Sequence, residues 1–154
     1  MNLIFGVTAL IAFILVGKKY AEKYRRKRKF YESFYLFSVD ALLNIGYKKD
    51  AVKTLILKGY PSEDFSDAIC ENSFSGESSI RLPGYLSDED KRFFSEYFSN
   101  IGKNVGRSER EYLEFSHEII KEKYEKCKSE DEKYSALGVK LGFAFGAIVF
   151  ILVL

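Results

Sequence analysis

Two apolar runs lie at the ends of the chain, and between them apolar and polar positions alternate at helical spacing. Residues 2–16 contain no charged side chain, and Lys140 is the only charged side chain among residues 136–154. The first run, as a helix, covers roughly 22–25 Å, and Lys18 and Lys19 can extend it toward the ~30 Å of a hydrocarbon core by snorkelling. We therefore predict transmembrane helices over residues 1–17 and 136–154.

The residues between the two runs predict helices rather than strands. Apolar positions recur every three or four residues from Tyr20 to Ile45, so the first helix is expected to leave the membrane and to end near Gly46. Asp50 and Gly59 bound a second short helix, and Ser62 opens a third. The predicted fold is all-α, with a cytoplasmic helical bundle over 18–135 flanked by an N-terminal and a C-terminal transmembrane helix.

Two further helices are predicted after a flexible loop over residues 71–86, which is rich in Ser and Gly. Ser87 should cap a helix that ends at Gly102, and the SERE stretch from Ser108 to Glu111 should cap the last one. The earlier of these helices is expected to bury Phe93, Phe94, Tyr97, Phe98 and Ile101. The later one shows a seam of alternating four- and three-residue steps: Leu113, His117, Ile120, Tyr124, Cys127, Asp131 and Tyr134.

Small residues mark one face of each predicted span. Gly138, Gly142 and Gly146 fall every fourth residue, and the first span offers Gly6, Ala9 and Ala12. In lipid, close backbone approach is a main source of helix packing, so a packing partner is expected, either the other end of this chain or another protein. Glycine is also simply commoner in membrane helices than in soluble ones, which is the alternative explanation.

Charge is segregated along the chain. Residues 18–29 hold eight Lys/Arg and one Glu, whereas residues 30–154 have a net charge of −5. Basic residues beside a span stay cytoplasmic, so Met1 is expected outside and the bundle inside. A cleaved signal peptide would carry its positive charge before the apolar run, and an acidic body argues against nucleic acid as a partner. The flanking basic residues are Lys18, Lys19, Arg25, Arg26, Lys27 and Arg28.

No catalytic, metal or cofactor site is predicted. The two cysteines, Cys70 and Cys127, have no zinc-type spacing and are expected to be reduced thiols. The sole histidine, His117, lies on the predicted seam without a ligand-spaced partner. We interpret it as a packing residue.

Two motifs carry a family resemblance. IGKNVGRSERE at 101–111 and YSALGVKLG at 134–142 resemble motifs of the stage III sporulation protein AB family, together with the layout of two spans and a basic flank. The matching positions are Gly102, Gly106, Ser108, Leu137, Gly138, Val139 and Gly142. Glu109 stands where the family usually has Asp, and Leu113 where Gln is common.

The resemblance implies a non-enzymatic scaffold in the sporulation channel between mother cell and forespore, sited in the mother-cell membrane around the forespore. Its body would be similar to inner-membrane platform proteins of type II secretion and type IV pilus machines. The implied partners are a cytoplasmic ATPase, stage III sporulation protein AA, and other channel proteins; self-association is left open. Two alternatives stand beside it, a membrane-tethered regulator or adaptor and a small membrane enzyme that uses His117.

Overall fold

The computed structural model describes residues 2–44, 50–74, 82–101 and 107–153. Within these ranges every regular element is a helix, which confirms the all-α prediction. The helices are α1 (Asn2–Asn44), α2 (Asp50–Leu57), α3 (Glu63–Phe74), α4 (Asp88–Asn100) and α5 (Arg107–Val153).

The predicted N-caps of α3 and α4 are confirmed by their hydrogen bonds. The backbone N–H of Phe65 donates to Ser62 Oγ over 3.3 Å. The N–H of Asp90 donates to Ser87 Oγ over 3.1 Å, and Ser87 has the extended backbone of a capping residue. Both serines satisfy a backbone donor that the first helical turn leaves without an internal partner. Gly59, predicted to stop α2, has a φ of 75°, a conformation that glycine adopts without strain.

Two boundaries differ from the sequence predictions, the end of α3 and the start of α5. The helix α3 continues through Phe74, so residues 71–74 are helical rather than the start of the predicted 71–86 loop. Ser108 lies inside α5 rather than before it, because the described part of that helix already begins at Arg107. The helix α4 ends at Asn100 with Ile101 as its C-cap, directly before the position predicted to stop it. Gly46, Gly102 and Gly106 lie outside the described residues.

The chain divides into two compact units, and α1 and α5 contribute residues to both. We call the first the helix pair, Met1–Arg28 with Lys126–Leu154, and the second the aromatic body, Lys29–Glu125. The helix pair carries eleven Lys/Arg and four Asp/Glu, a formal charge of +7, whereas the aromatic body carries thirteen and eighteen, a charge of −5. The charge segregation seen along the sequence therefore persists between the two units.

Aromatic rings from three helices make the core of the aromatic body. Phe34 of α1 lies with its ring centroid 5.9 Å from that of Phe65 in α3, and 5.2 Å and 5.1 Å from those of Phe94 and Tyr97 in α4. Aromatic side chains bury large apolar areas and favour such edge-on and tilted contacts. The most buried of these side chains are Phe30, Phe34, Phe37, Phe65, Phe94 and Tyr97. Five residues in and just after α4 were predicted to be buried. Phe94 and Tyr97 are buried, and Phe93, Phe98 and Ile101 are half-buried.

Two buried polar side chains of the aromatic body, Ser33 and Asp90, form hydrogen bonds to other segments of the chain. Ser33 on α1 is fully buried; its Oγ donates to the Lys29 carbonyl and accepts from the Ser62 N–H over 2.9 Å. Asp90 on α4 accepts from Lys123 Nζ on α5 over 2.7 Å. Since a buried polar group without a partner is costly, these bonds fix how α3 and α5 pack within the body.

We expect the Asp90 ion pair to make the stability of the aromatic body depend on acid pH. Burial raises the pKa of this carboxyl, but hydrogen bonds from Lys123, Tyr31 and Ser87 outweigh it and lower the pKa from 3.8 to about 2. A carboxyl with a lowered pKa stabilises the folded state above its unfolded pKa, so this contribution is lost as pH falls from about 4 to about 2. Hydrogen exchange of α4 and α5 peptides across this pH range measures the loss.

The matched control for this titration is the neighbouring carboxylate. Asp90→Asn should lower the protection of α4 at neutral pH and remove the acid-dependent step. Asp88→Asn should change neither, because the Asp88 side chain is 92% exposed and only weakly paired, 3.5 Å from Lys91. An acid step of unchanged size in Asp90→Asn would contradict the assignment.

The predicted seam of α5 is buried or half-buried at every position. Leu113, Ile120, Cys127 and Asp131 are buried, and His117, Tyr124 and Tyr134 are half-buried. The alternation of four- and three-residue steps therefore identified the inward face of this helix along both units.

Candidate functional site: the glycine-packed helix pair

The two helices of the helix pair pack antiparallel through glycines. Going along α1, the nearest atoms of α5 belong to residues that descend in number: Gly6 lies against Phe150, Leu10 against Gly146, and Gly17 against Gly138. Gly142 lies against Phe13 and Gly17. The glycine face of the C-terminal segment thus packs against the N-terminal segment of the same chain, one of the two partners that the sequence left open.

These glycines lie where no side chain fits. A Cβ on Gly17 would lie 2.5 Å from the Gly138 carbonyl oxygen, and one on Gly142 would lie 2.7 Å from the Phe13 carbonyl oxygen. Such distances are below any real Cβ contact, and the obstacle is backbone, which does not swing aside. A Cβ on Gly146 would lie 3.2 Å from the Leu10 Cα, a tight contact. The close approach of the two backbones therefore depends on glycine at 17 and 142 above all.

Large apolar side chains of the helix pair lie on the outside. Leu15 and Val16 on α1 are 58% and 66% exposed, and α5 exposes similar side chains along the same length. A water-soluble helix pair would bury such residues and expose polar ones. Here the small residues are inside and the large apolar ones outside, the arrangement typical of helices packed in lipid. The exposed set is Val7, Ile11, Phe13, Leu15, Val16, Leu137, Val139, Leu141, Phe143, Phe145, Ile148, Ile151 and Leu152.

One helix of the described chain, Ser108–Leu152, contains a segment long and apolar enough to cross a membrane. Only 17% of that segment is buried, whereas the core helix of a soluble protein would be mostly buried. Lys140, the single charge after Ala136, is exposed about one turn inside this apolar run. Membrane association of α5 is thus consistent with its length, its composition and its exposure.

Aromatic rings cluster just beyond the glycine contacts. Tyr24 stacks on Tyr134 with ring centroids 4.8 Å apart, and its hydroxyl lies 3.1 Å from that of Tyr20. The hydrogen bond with Tyr20, then burial, raise the pKa of Tyr24 to about 12. Tyrosine is enriched where a membrane meets water, because its ring is apolar and its hydroxyl is polar.

Two ion pairs connect the helices next to these rings. Arg28 Nε lies 3.3 Å from an Asp131 carboxylate oxygen, and Lys27 Nζ lies 3.9 Å from Glu130. Two members of the predicted basic flank therefore pair with acidic residues of α5. The Asp131 side chain is only 10% exposed, so removing the arginine would leave a largely buried carboxylate without its cationic partner.

Arg28→Asp should weaken the helix pair by about 1–3 kcal/mol, because it leaves the buried Asp131 carboxylate facing a like charge. The exchange Arg28→Asp with Asp131→Arg should recover most of this loss. Thermal unfolding of the detergent-solubilised chain compares the two variants. Equal losses in the single and the exchanged variant would show that the pair contributes no specific attraction.

The structure brings some of the predicted site residues together and separates others. Gly6, Gly138, Gly142 and Gly146 all lie at the helix contact. Lys18, Lys19, Arg25 and Arg26 are exposed, Glu109 is buried, and Ser108 is exposed. Gly102 and Gly106 of the family-like turn lie outside the described residues, so that part of the prediction stays a prediction.

On α1, sequence reasoning correctly selected Gly6, wrongly selected Ala12 and missed Gly17. Ala12 is exposed, and the residue that meets Gly138 is Gly17, which the sequence analysis did not select. A signal was present, because Gly6 and Gly17 are 11 residues apart, about three helical turns, and so share one face. Ala9, the other predicted residue, has no described side chain.

His117 makes a defined contact in the aromatic body. Its Nδ1 lies 2.8 Å from Ser38 Oγ, and its ring lies 5.2 Å from that of Tyr35. The Ser38 hydroxyl donates its only hydrogen to the Tyr35 carbonyl over 2.7 Å, so it accepts from the imidazole N–H. A nucleophilic serine needs the opposite arrangement, in which its proton faces the base. Within the described ranges, no three His, Cys, Asp or Glu side chains lie close enough to hold a metal ion.

Comparison of the chain with known protein families, with curated proteins and with solved structures finds no match. The geometry of the helix pair and the aromatic body therefore carries the functional argument.

Proposed function

We propose that this protein is a membrane-anchored platform, with the helix pair crossing the bilayer twice and the aromatic body on the cytoplasmic side. One observation carries the proposal: in the helix pair, glycines face inward and large apolar side chains face outward. Burying apolar area drives folding in water, so a pair that exposes such area needs lipid to cover it. The apolar runs at 1–17 and 136–154 supply the two crossings.

Charge sets the orientation of this platform. The basic residues of the helix pair follow the apolar run on α1 and precede it on α5, so both basic flanks belong to the ends that continue into the aromatic body. Such flanks remain cytoplasmic. The aromatic body, with its formal charge of −5, then faces the cytoplasm, where a soluble partner can reach it.

The partner we propose is a cytoplasmic ATPase, stage III sporulation protein AA, as the resemblance to stage III sporulation protein AB implies. The two motifs IGKNVGRSERE and YSALGVKLG support this assignment. So does the placement of the glycines of the second motif at the helix contact. In this scheme the protein is a scaffold of the sporulation channel in the mother-cell membrane around the forespore. Because α1 and α5 contribute to both units, they would transmit the effect of ATPase binding from the aromatic body to the transmembrane segments.

Cysteine labelling in cells tests the topology. In a cysteine-free background, a cysteine at exposed Ser99 in the body should react with a membrane-impermeant maleimide only after lysis. A cysteine appended after Leu154 should react in intact non-sporulating cells that express the chain, where the membrane that holds it is the cell's outer boundary. Labelling of Ser99→Cys in intact cells, or recovery of the full chain as a soluble protein, would overturn the two-pass arrangement.

Crosslinking in sporulating cells, followed by affinity purification, tests the partner. The platform should capture the ATPase together with other channel proteins, whereas a regulator that works alone would be recovered without that assembly. Correct topology without the ATPase would leave the membrane anchor standing and remove the scaffold assignment.

His117→Ala separates the platform from a membrane enzyme. For a platform we expect the body to lose about 1–2 kcal/mol of stability, the typical effect of removing one packed, hydrogen-bonded side chain, while sporulation and ATPase capture persist. An enzyme that uses His117 as its base would lose function completely. His117→Asn, whose amide nitrogen can take the place of Nδ1 and donate to Ser38, is the control variant.

A further inference from the structure

Not all basic residues of the helix pair are engaged in the same way. Lys27 and Arg28 pair with Glu130 and Asp131. Lys18, Lys19, Lys23 and Arg25 are exposed, and no described residue forms an ion pair with any of these four. Lys27 and Arg28 therefore connect the two helices, whereas the four exposed side chains leave their positive charges open to solvent or to a ligand.

The four exposed cations lie outside the face of α1 that packs against α5. Gly17, Ala21 and Arg28 mark the face toward α5, and they follow one another at helical spacing. At about 100° per residue, Lys19 and Lys23 point away from that face, and Lys18 and Arg25 lie on its flank. Exposed Lys133 of α5 lies at the same level, since Tyr134 stacks on Tyr24, whereas exposed Lys140 lies beyond Gly138 and therefore on the apolar side of Gly17.

The exposed cations directly adjoin the exposed apolar surface. Leu15 and Val16, more than half exposed, come immediately before Lys18. The tyrosine cluster of Tyr20, Tyr24 and Tyr134 lies at the same height. A surface that passes from apolar side chains to intermingled cations and tyrosines within about three helical turns matches the passage from acyl chains to headgroups.

We propose that Lys18, Lys19, Lys23 and Arg25 form a binding face for anionic phospholipid headgroups of the cytoplasmic leaflet, which fixes the depth of the helix pair. We call it the headgroup face, and it rests on the proposed two-pass anchor. Soluble polyanions fit less well, because the neighbouring Leu15 and Val16 would stay exposed to water when such a ligand binds. Each Lys or Arg near an anionic surface contributes about 1 kcal/mol, or roughly fivefold in affinity.

The experiment uses the full chain in detergent and in vesicles. Flotation with phosphatidylcholine vesicles first reports insertion. Binding of fluorescent phosphatidylglycerol and phosphatidylcholine is then measured by anisotropy for the wild type, for K18Q/K19Q/K23Q/R25Q, and for the control K91Q/R92Q/R110Q/K121Q, which removes four cations from the aromatic body. We expect the wild type to bind phosphatidylglycerol at least tenfold more tightly than phosphatidylcholine. The first variant should lose this preference, and the control should keep it within twofold. All three proteins should float with the vesicles.

Other results of this experiment would overturn either the membrane anchor or the headgroup face. A wild-type chain that does not float overturns the membrane anchor itself. A chain that floats but binds both lipids with equal affinity overturns the headgroup face and leaves the anchor intact. An equal loss of the phosphatidylglycerol preference in the quadruple variant and in the control has the same meaning. Displacement of phosphatidylglycerol by inorganic phosphate at similar concentration shows recognition of phosphate alone, which also overturns the lipid assignment. The variant K27Q/R28Q should weaken the helix pair without removing the lipid preference.

Discussion

Replacing Gly142 by isoleucine should drive the two helices of the helix pair apart. A Cβ at this position already lies 2.7 Å from the Phe13 carbonyl oxygen and 3.4 Å from the Gly17 Cα, and the rest of the side chain has no space. Overpacking of this kind costs about 1–3 kcal/mol where neighbours can shift. Here the neighbours are backbone atoms, so we expect the contact between the helices to be lost rather than adjusted.

Spin labels at Val16 and Val139 measure the separation, because both side chains are exposed and lie near the glycine contact. In a cysteine-free background the distance between labels should lengthen and broaden in Gly142→Ile. The matched control is Ala144→Ile, which adds similar bulk at an exposed position of the same helix. Unchanged distances in Gly142→Ile would show that glycine is not required for this packing.

Phe34→Ala should be the most destabilising single change in the aromatic body. Its side chain is 1% exposed, and its ring lies 5.1–6.1 Å from five rings of α3 and α4. Phe→Ala in a packed core costs about 3–5 kcal/mol, from lost burial and from the cavity left behind. Since domains are stable by only about 5–15 kcal/mol, this change alone should leave α3 and α4 close to unfolding.

Hydrogen exchange of α3 and α4 peptides in the detergent-solubilised chain measures this loss. The control is Phe115→Ala, the same substitution at a side chain 68% exposed, which should change protection by less than about 0.5 kcal/mol. Equal effects of the two substitutions would contradict the assignment of Phe34 to the core. Loss of α3 protection alone would confine the role of Phe34 to one helix.

Helix starts were predictable where a single local interaction decides them. Ser62 and Ser87 cap α3 and α4 as their sequence positions indicated, because a cap needs only a side-chain oxygen three residues before a free N–H. The end of α3 was harder to predict. Residues 71–74 include neither Gly nor Pro, so a polar composition did not stop the helix, which continues to Phe74.

The glycine contact was predictable in kind but not in its partner. Regular spacing marked Gly138, Gly142 and Gly146 as a close-packing face, yet the sequence left open what that face meets. The register between α1 and α5 is a tertiary property, since many offsets of two apolar helices bury similar area. The contacts of Gly17 with Gly138 and of Gly142 with Phe13 select one offset, and the Arg28–Asp131 pair agrees with it.

The sequence by itself determined the all-α fold, the inward seam of α5 and the basic flank, because helical periodicity and charge order are written along the chain. Only the tertiary structure decided which basic residues pair with α5 and which remain exposed. It also decided which glycines contact the backbone of the facing helix. These depend on how two helices are rotated and shifted against each other, and that choice is made by contacts between residues more than a hundred positions apart, such as Gly17 and Gly138.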